Sequence, residues 1–510
     1  MRAVQLVAAA PGRAHQVPPT CEVVVVGGGV AGVSSAVVLA ERGARVTLLE
    51  AADTLGGRLG AWQYRLPDGT EQVIEHGFHA FFRHYYTWRA VLRRADPLLR
   101  FLRPVDSYPV IARQWPDEDL TGLPTMPPLS LLALFARSPS LRWRDVLGAN
   151  RALGIELLGY HPERTPAALD AMPAADFLDR VNLPERARMM LFEAFARSFF
   201  CDPRSLSSAE LVTMFHFYFL GNPEGLAFDA PDTDYLECIW RPLDTYLRRN
   251  GASVRTGAPA LAVRPGPDRR WRIQLDGEEL LARHLVLALD PVGLRALLDR
   301  SPLLRQAAPR LADQVDAVSV AEPYAVSRLW LDRDVSPHRA VFSAVTTEAT
   351  LDSITSYHRL EAPSRAWAAT NGGAVLELHS YACTAPDGEQ AARRMRAELD
   401  ELWPETRAAR VRHQVTRYEA AAPAFPPGGA ARRPQVRTDA PGIRLAGDFV
   451  TLPFCAGLME RAAMSGVLAA NEVLAEEGAA AEPIAGVPQR GLLAGLTPFT
   501  RRPGARRSRR

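Results

Sequence analysis

Three glycines, Gly27, Gly29 and Gly32, stand in a G-x-G-x-x-G spacing directly after a β-branched run, Glu22 to Val26. The first allows a tight turn, the second lets the backbone approach a pyrophosphate, and the third lets a following helix pack on the strand. Backbone N–H groups at the start of that helix, Gly28 lying in the same turn, and the positive end of its dipole would hold the phosphates. Glu50 follows eighteen residues after Gly32. A carboxylate there accepts from both ribose hydroxyls and repels a 2′-phosphate. A lone glycine pattern is weak, but here strand, turn, helix, second strand and acid all fall in order.

A second group of residues lies further along. Leu55, Gly56, Gly57 and Arg58 begin five residues beyond the acid. The stretch His76-Gly77-Phe78-His79-Ala80-Phe81-Phe82-Arg83-His84-Tyr85-Tyr86 then sets imidazoles among aromatic rings. Glu75, His76, His79 and His84 match no metal-site spacing, so no metal is expected. The histidines read either as packed polar core or as groups that orient a substrate or move a proton, with His76 and His79 the catalytic candidates. Near the other end, Leu445-Ala446-Gly447-Asp448-Phe449 closes a short strand ahead of another glycine-containing turn and a helix.

Particular elements must hold these residues in place. Glu22 to Val26, Ala31 to Arg42 and Arg45 to Glu50 read as strand, helix, strand. Arg89 to Arg188, rich in Leu, Arg and Pro, reads as the start of a helical insertion broken at points such as Pro127 and Pro128. Short strands follow at 252–256, 260–264, 271–275 and 285–289. A mixed segment from Val315 to Glu419 holds strands at 325–331 and 374–380 and a helix near 389–402, as in a sheet that packs over a ligand. Beyond a Pro- and Gly-rich loop come a strand at 443–446 and a helix at 461–476. These pieces interleave into an α/β fold whose Rossmann-like domain is built from 20–88, 240–310 and 435–480. A mixed-sheet and helical substrate domain takes 89–239 and 311–434, with an N-terminal extension at 1–19 and a basic C-terminal tail at 481–510.

With 47% hydrophobic residues in 510, the chain can bury a large core, and a net charge of +3 gives no global attraction to nucleic acid. All 60 cationic side chains are arginine, which excludes Schiff-base and Walker lysines. Cys21, Cys201, Cys238, Cys383 and Cys455 are scattered without zinc or redox-pair spacing, as fits a reducing cytoplasm. The first twenty residues make a poor signal peptide, and no run of about 18 apolar residues suggests a spanning helix. Leu129 to Ala136 is too short to span a bilayer but long enough to dip into one leaflet, and six arginines in Arg501 to Arg510 suit anionic headgroups or a solvated tail. Phe192 to Phe200 and Leu211 to Leu220 read as plain core or, beside a cofactor, as a wall for a long hydrocarbon.

The Gly-Gly-Arg stretch resembles the flavin-containing amine oxidase and phytoene desaturase superfamily, whose corresponding loop lies against the pyrophosphate and flavin of FAD. The resemblance implies a glutathione-reductase-like flavoprotein, with Asp448 near the phosphate and ribityl chain and the next helix start facing the flavin ring. Met459-Glu460, Ala462, Ser465-Gly466 and Ala469-Ala470 look like the C-terminal signature of plant- and cyanobacterial-type carotene desaturases. Arg461 departs from it, standing where those enzymes usually have glycine. The histidine and aromatic motif, with Asp106 to Pro109, Phe228 to Trp240 and Pro488 to Leu493, resembles the isorenieratene synthases of actinobacteria and green sulfur bacteria, over most of the chain.

What this resemblance implies is an FAD-dependent oxidoreductase that desaturates a carotene end ring with methyl migration to give an aromatic ring. Peripheral contact with the inner face of the cell membrane comes with it. The expected cofactor contacts are Gly27, Gly28, Gly29, Gly32, Glu50, Gly56, Gly57, Arg58, Gly77, Val263, Gly447, Asp448, Leu458 and Met459. Another carotene desaturase or isomerase, a flavin amine oxidase, and a prenyl-binding protein on the same fold are the alternatives. Many amine oxidases use a lysine to hold a water beside the flavin, and this chain has none.

Overall fold

The computed structural model describes residues 3–8, 13–106, 108–126 and 129–496. Val23 to Val26 are all buried, as an apolar run without polar alternation requires of a strand covered on both faces. Their strand, Glu22–Val26, is the middle of a five-stranded sheet ordered Ser253–Arg255, Arg45–Leu49, Glu22–Val26, His284–Leu287, Ile443–Leu445. Every neighbouring pair is parallel. This is a Rossmann-like sheet assembled from separated stretches of chain, and its carboxyl ends lead into the Gly27 turn, Glu50 and Gly447.

The helix Val30–Glu41 is buried from Val30 to Ala40 because the C-terminal helix Leu458–Glu476 packs against it. Small residues permit that approach. A Cβ on Gly466 would lie 2.1 Å from the Ala31 carbonyl oxygen, and one on Gly32 would lie 1.9 Å from that of Gly27. The C-terminal helix begins at Leu458 rather than at Arg461, which brings Leu458 and Met459 into its first turn.

A seven-stranded sheet forms the second layer, ordered Val411–Glu419, Tyr324–Leu331, Ala374–Ser380, Ser353–Ser356, Phe342–Val345, Pro109–Ile111, Glu118–Asp119. Its pairs are antiparallel except for Phe342–Val345 with Pro109–Ile111. The strands at 102–104, 109–111 and 118–119 correct the reading of Arg89 to Arg188 as a helical insertion. They are too short to show a period of their own, and partners distant in sequence recruit them. Helices dominate only from Leu129–Arg137 onward, up to Ser208–Phe215, which continues as a wider π-helical turn over His216–Leu220.

The two chain ends meet. Val4–Val7 pairs antiparallel with Ile484–Gly486, and beyond that strand the Gln489 side chain accepts from Cys455 N–H while the Pro488 carbonyl bonds to His216. The start of the expected tail is therefore packed on the protein, while Arg501 to Arg510 lie outside the described residues. Gly466→Ala forces the two central helices apart and is expected to lower stability by about 1–3 kcal/mol, read as a reduced midpoint of thermal unfolding.

Candidate active site

A cavity of about 460 Å³ is enclosed between the Gly27 turn and the seven-stranded sheet. Of the expected residues, Gly27, Gly29, Glu50, Gly56, Gly57, Arg58, Gly447, Asp448, Leu458 and Met459 line it, together with His76 and His79. Gly28 and Gly32 shape the turn itself. Gly28 N–H donates to Glu50 Oε2 at 2.7 Å, and Gly32 packs against Gly27.

Gly77 and Val263 do not join the lining. Gly77, at φ +119°, lets its loop pass beside His379 and Val326. Val263 is in the core, in an antiparallel strand with its N–H donated to Ser301 Oγ at 2.8 Å. The chain that runs beside Glu50 is five residues earlier, where Ala258 N–H donates to the Glu50 carbonyl oxygen at 2.8 Å.

The glycines show where a ligand fits. Cβ atoms on Gly27 and Gly32 would lie 2.4 and 1.9 Å from backbone carbonyl oxygens, so the protein's own packing demands glycine there, whereas one on Gly28 would meet the Leu55 and Glu50 side chains. A Cβ on Gly29 would meet nothing closer than 3.8 Å. Space kept bare in front of a helix N-terminus suits a pyrophosphate. Neither Val30–Glu41 nor Leu458–Glu476 has a side-chain cap, so the first N–H groups of both are free to face a ligand. Leu458 itself is held at φ +47°, an uncommon backbone for a branched residue, at the point where the second helix meets the cavity. A positive helix end beside a flavin ring would stabilise the anionic reduced form.

Arg58 ties the front of the chain to its end, with Nη2 2.6 Å from Asp448 Oδ1. Gly447 N–H donates to Ser465 Oγ at 2.8 Å, which fixes this turn against the C-terminal helix. Arg461, the departure from the resembling signature, does not line the cavity. It pairs with buried Glu210, donates to the Ala456 carbonyl at 2.9 Å and lies over the Phe425 ring. The extra side chain is thus accommodated away from the cofactor side.

The remaining wall is aromatic. Phe78, Phe82, Phe195, Phe199, Phe228 and Phe342 contribute to it, Phe78 stacking on Phe342 with ring centroids 4.9 Å apart. Tyr85 and Tyr218 share a 2.6 Å hydroxyl hydrogen bond on the same wall. His79 Nδ1 is 2.9 Å from the Gly77 carbonyl oxygen, which can only accept, so this nitrogen carries the proton. Burial, helped by Arg417, lowers His76 to about 3, and burial lowers His79 to about 4 against the bond to Gly77. Both imidazoles are therefore neutral near pH 7.

His379, Phe342 and Tyr324 also line the cavity and were not among the expected residues. For His379 a signal existed, since Glu377 and His379 stand two apart in the apolar run 374–380 and so share one face of a strand. Phe342 and Tyr324 carried none, because only strand pairing brings them here.

Arg58→Ala leaves Asp448 without its partner and is expected to weaken flavin retention about tenfold, measured as the ratio of flavin to protein absorbance after dialysis. A second outcome concerns acid. His76 and His79 titrate below their ordinary 6.5 when folded, so the unfolded chain binds more protons once pH falls beneath that value. Stability is then full above about pH 6.5 and falls toward pH 4 by up to about 1.4 kcal/mol per histidine per pH unit, which urea unfolding at pH 7 and pH 5 would show.

Residues 30–474 match the flavin containing amine oxidoreductase family. A carotenoid phi-ring synthase of Streptomyces griseus is 41% identical over 96% of this chain and 95% of its own length. Another, from Chlorobaculum tepidum, is 27% identical over 92% of this chain and 91% of its own length. Among solved structures, cyclohexylamine oxidase from Brevibacterium oxydans shares the fold, with a TM-score of 0.62 at 17% identity over 89% of this chain and 99% of that one. With a glycine turn, an acid and an arginine–aspartate pair gathered at one cavity, the chain belongs to the flavin containing amine oxidoreductase family, as an FAD-dependent oxidoreductase akin to the carotenoid phi-ring synthases.

Proposed function

We propose that this protein desaturates the end ring of a carotene and shifts one methyl group, converting β-carotene to an aromatic carotenoid of the isorenieratene type. The observation that carries the reading is a single cavity with a dinucleotide-binding end, at Gly29, Arg58 and Asp448, continued by phenylalanine and tyrosine walls. A hydrocarbon offers nothing to hydrogen-bond, so only apolar area and shape can hold it. The names of the relatives, carotenoid phi-ring synthases, support the same substrate class.

Bound FAD would supply a hydride acceptor beside the ring, held by Gly29, Glu50, Arg58 and Asp448. The chain's own side chains do the rest. Aromatic faces stabilise the cation left on the carotene ring, each by about 2 kcal/mol where water is excluded. One of two geminal methyl groups then moves with its bonding pair to the neighbouring cationic carbon, proton loss closes a double bond, and a second two-electron oxidation of the same ring makes it aromatic. His76 and His79, neutral, orient the ring without repelling that charge. A flavin amine oxidase would share this fold, but the absence of lysine from the chain removes the residue many of them use beside the flavin.

Substrate entry from a membrane is part of the reading. Met126, Leu129 and Leu132 are exposed at the helix Leu129–Arg137, and the preceding Thr125 packs on Gly225, close in sequence to Phe228 of the cavity wall. An apolar rim there could sit in one leaflet at the inner face of the cell membrane and admit a water-insoluble substrate. Among the described residues no helix is long and apolar enough to cross a membrane.

Co-expression in cells that accumulate β-carotene tests the chemistry. The expected pigment keeps every carbon and loses hydrogen from its end rings. Unchanged β-carotene beside a folded, flavin-loaded protein would overturn the proposal, and peroxide release with amines would favour an amine oxidase. Leu129→Glu combined with Leu132→Glu is expected to reduce co-sedimentation with phospholipid vesicles several-fold, at about 3 kcal/mol per charge placed in the leaflet, with flavin content unchanged.

A further inference from the structure

The strand Ala374–Ser380 is buried along its whole length and apolar except for Glu377, His379 and Ser380. Glu377 Oε1 is 2.7 Å from His379 Nε2 and accepts from Phe78 N–H at 2.7 Å. Glu377 Oε2 accepts from Arg328 Nε at 2.9 Å and Nη2 at 2.7 Å, and the same Nη2 reaches Glu75 at 2.6 Å. Burial alone would raise the Glu377 carboxyl, but Arg328 and His379 outweigh it and bring it down to about 2. An ionised carboxylate only accepts, so His379 Nε2 carries the proton and Nδ1 keeps a lone pair. His379 lines the cavity. A Cβ on Gly77 would sit 2.9 Å from His379 Cε1, so the loop carrying His76 and His79 is seated directly on this imidazole.

His79 differs in one respect. Its Nδ1 bonds to a neutral carbonyl and no carboxylate bonds to its ring among the described residues, so Glu377 acts on it only through space. On His379 the same carboxylate acts at hydrogen-bond distance. We infer that His379, oriented by Glu377, is the base that takes the ring protons, a role that rests on the carotene reading above. Aromatising one ring removes two hydrides and two protons, so a hydride passes twice to bound FAD, with reoxidation in between by an external acceptor of the quinone class. After the first hydride leaves, a C–H bond on the adjacent carbon breaks, its electron pair forms a ring double bond, and its proton passes to His379 Nδ1, from there to solvent, while Nε2–H stays on Glu377. The second hydride loss leaves the cation to which the methyl shifts, and the proton on the carbon that received the methyl then passes to His379 and closes the aromatic ring. Glu377 is a positioning residue and acts through His379.

The test uses purified, flavin-loaded protein with β-carotene and a quinone as electron acceptor in vesicles, with pigments identified by mass spectrometry. His379→Ala is expected to lower turnover about a hundredfold while flavin content stays near wild type, and added imidazole is expected to restore part of the rate. Turnover within threefold of wild type, or a loss that imidazole does not touch, would overturn the assignment. Should His379→Ala fail to hold flavin, Glu377→Gln decides: a loss of tenfold or more with full flavin content supports the dyad, and unchanged turnover refutes it. Wild-type protein that leaves β-carotene intact would sink the substrate reading, an outcome separate from a wild type that turns over beside an unimpaired variant.

Discussion

The site depends on holding together two segments 390 residues apart, joined by the 2.6 Å contact of Arg58 with Asp448. That contact is short because the parallel sheet has already done most of the work. His284–Leu287 lies between Glu22–Val26 and Ile443–Leu445, so the Gly27 and Gly447 turns leave the same edge of the sheet one strand apart. The Gly27 turn rests on the strand between them, since a Cβ there would lie 2.4 Å from the Ala288 carbonyl oxygen. Gly466 then lets the C-terminal helix close on the first one, which sets Leu458 over the cavity. Sheet order, small residues and one ion pair act on the same few ångströms.

Charge is distributed around this cavity in a way that suits an apolar substrate. Of the ionic groups that face it, Arg58 is paired with Asp448, while Glu50 and Asp290 accept from backbone N–H groups. The densest cluster lies behind the aromatic wall, where Arg328 meets Glu75, Glu361 and Glu377 and its guanidinium lies 3.8 Å from the Tyr357 ring centroid. One cation cannot balance three buried carboxylates, and burial pushes Glu75 and Glu361 up while Glu377 alone is held low. The carboxylate held low is the one that touches His379. An arginine suits the position because its planar fork reaches two acceptors from a fixed geometry, which an ammonium group does not.

The aromatic wall is built by pieces that share little local sequence. Phe78 and Phe82 come from the loop after the dinucleotide unit, Phe195 and Phe199 from the helical region, Phe228 from a short strand and Phe342 from the large sheet. Helix Ser208–Phe215 and its wider turn supply Tyr218, which meets Tyr85 across the cavity lining. Rings delivered from both layers make the wall rigid, because each is packed against partners from a different element.

What the sequence by itself determined is local. The Gly27 turn, Glu50 at a strand end, the Gly-Gly-Arg loop and the Gly447-Asp448 turn each need a specific residue type over a few positions, and spacing along one chain conveys that directly. The strands at 22–26 and 374–380 were legible for the same reason, as apolar runs set by short-range pattern. Tertiary structure decided the rest. It put Val263 in the core away from the cavity, seated the Gly77 loop on His379, and placed Arg461 in a buried ion pair. These outcomes turn on which strand pairs with which and how closely two backbones approach, quantities that depend on residues hundreds of positions away.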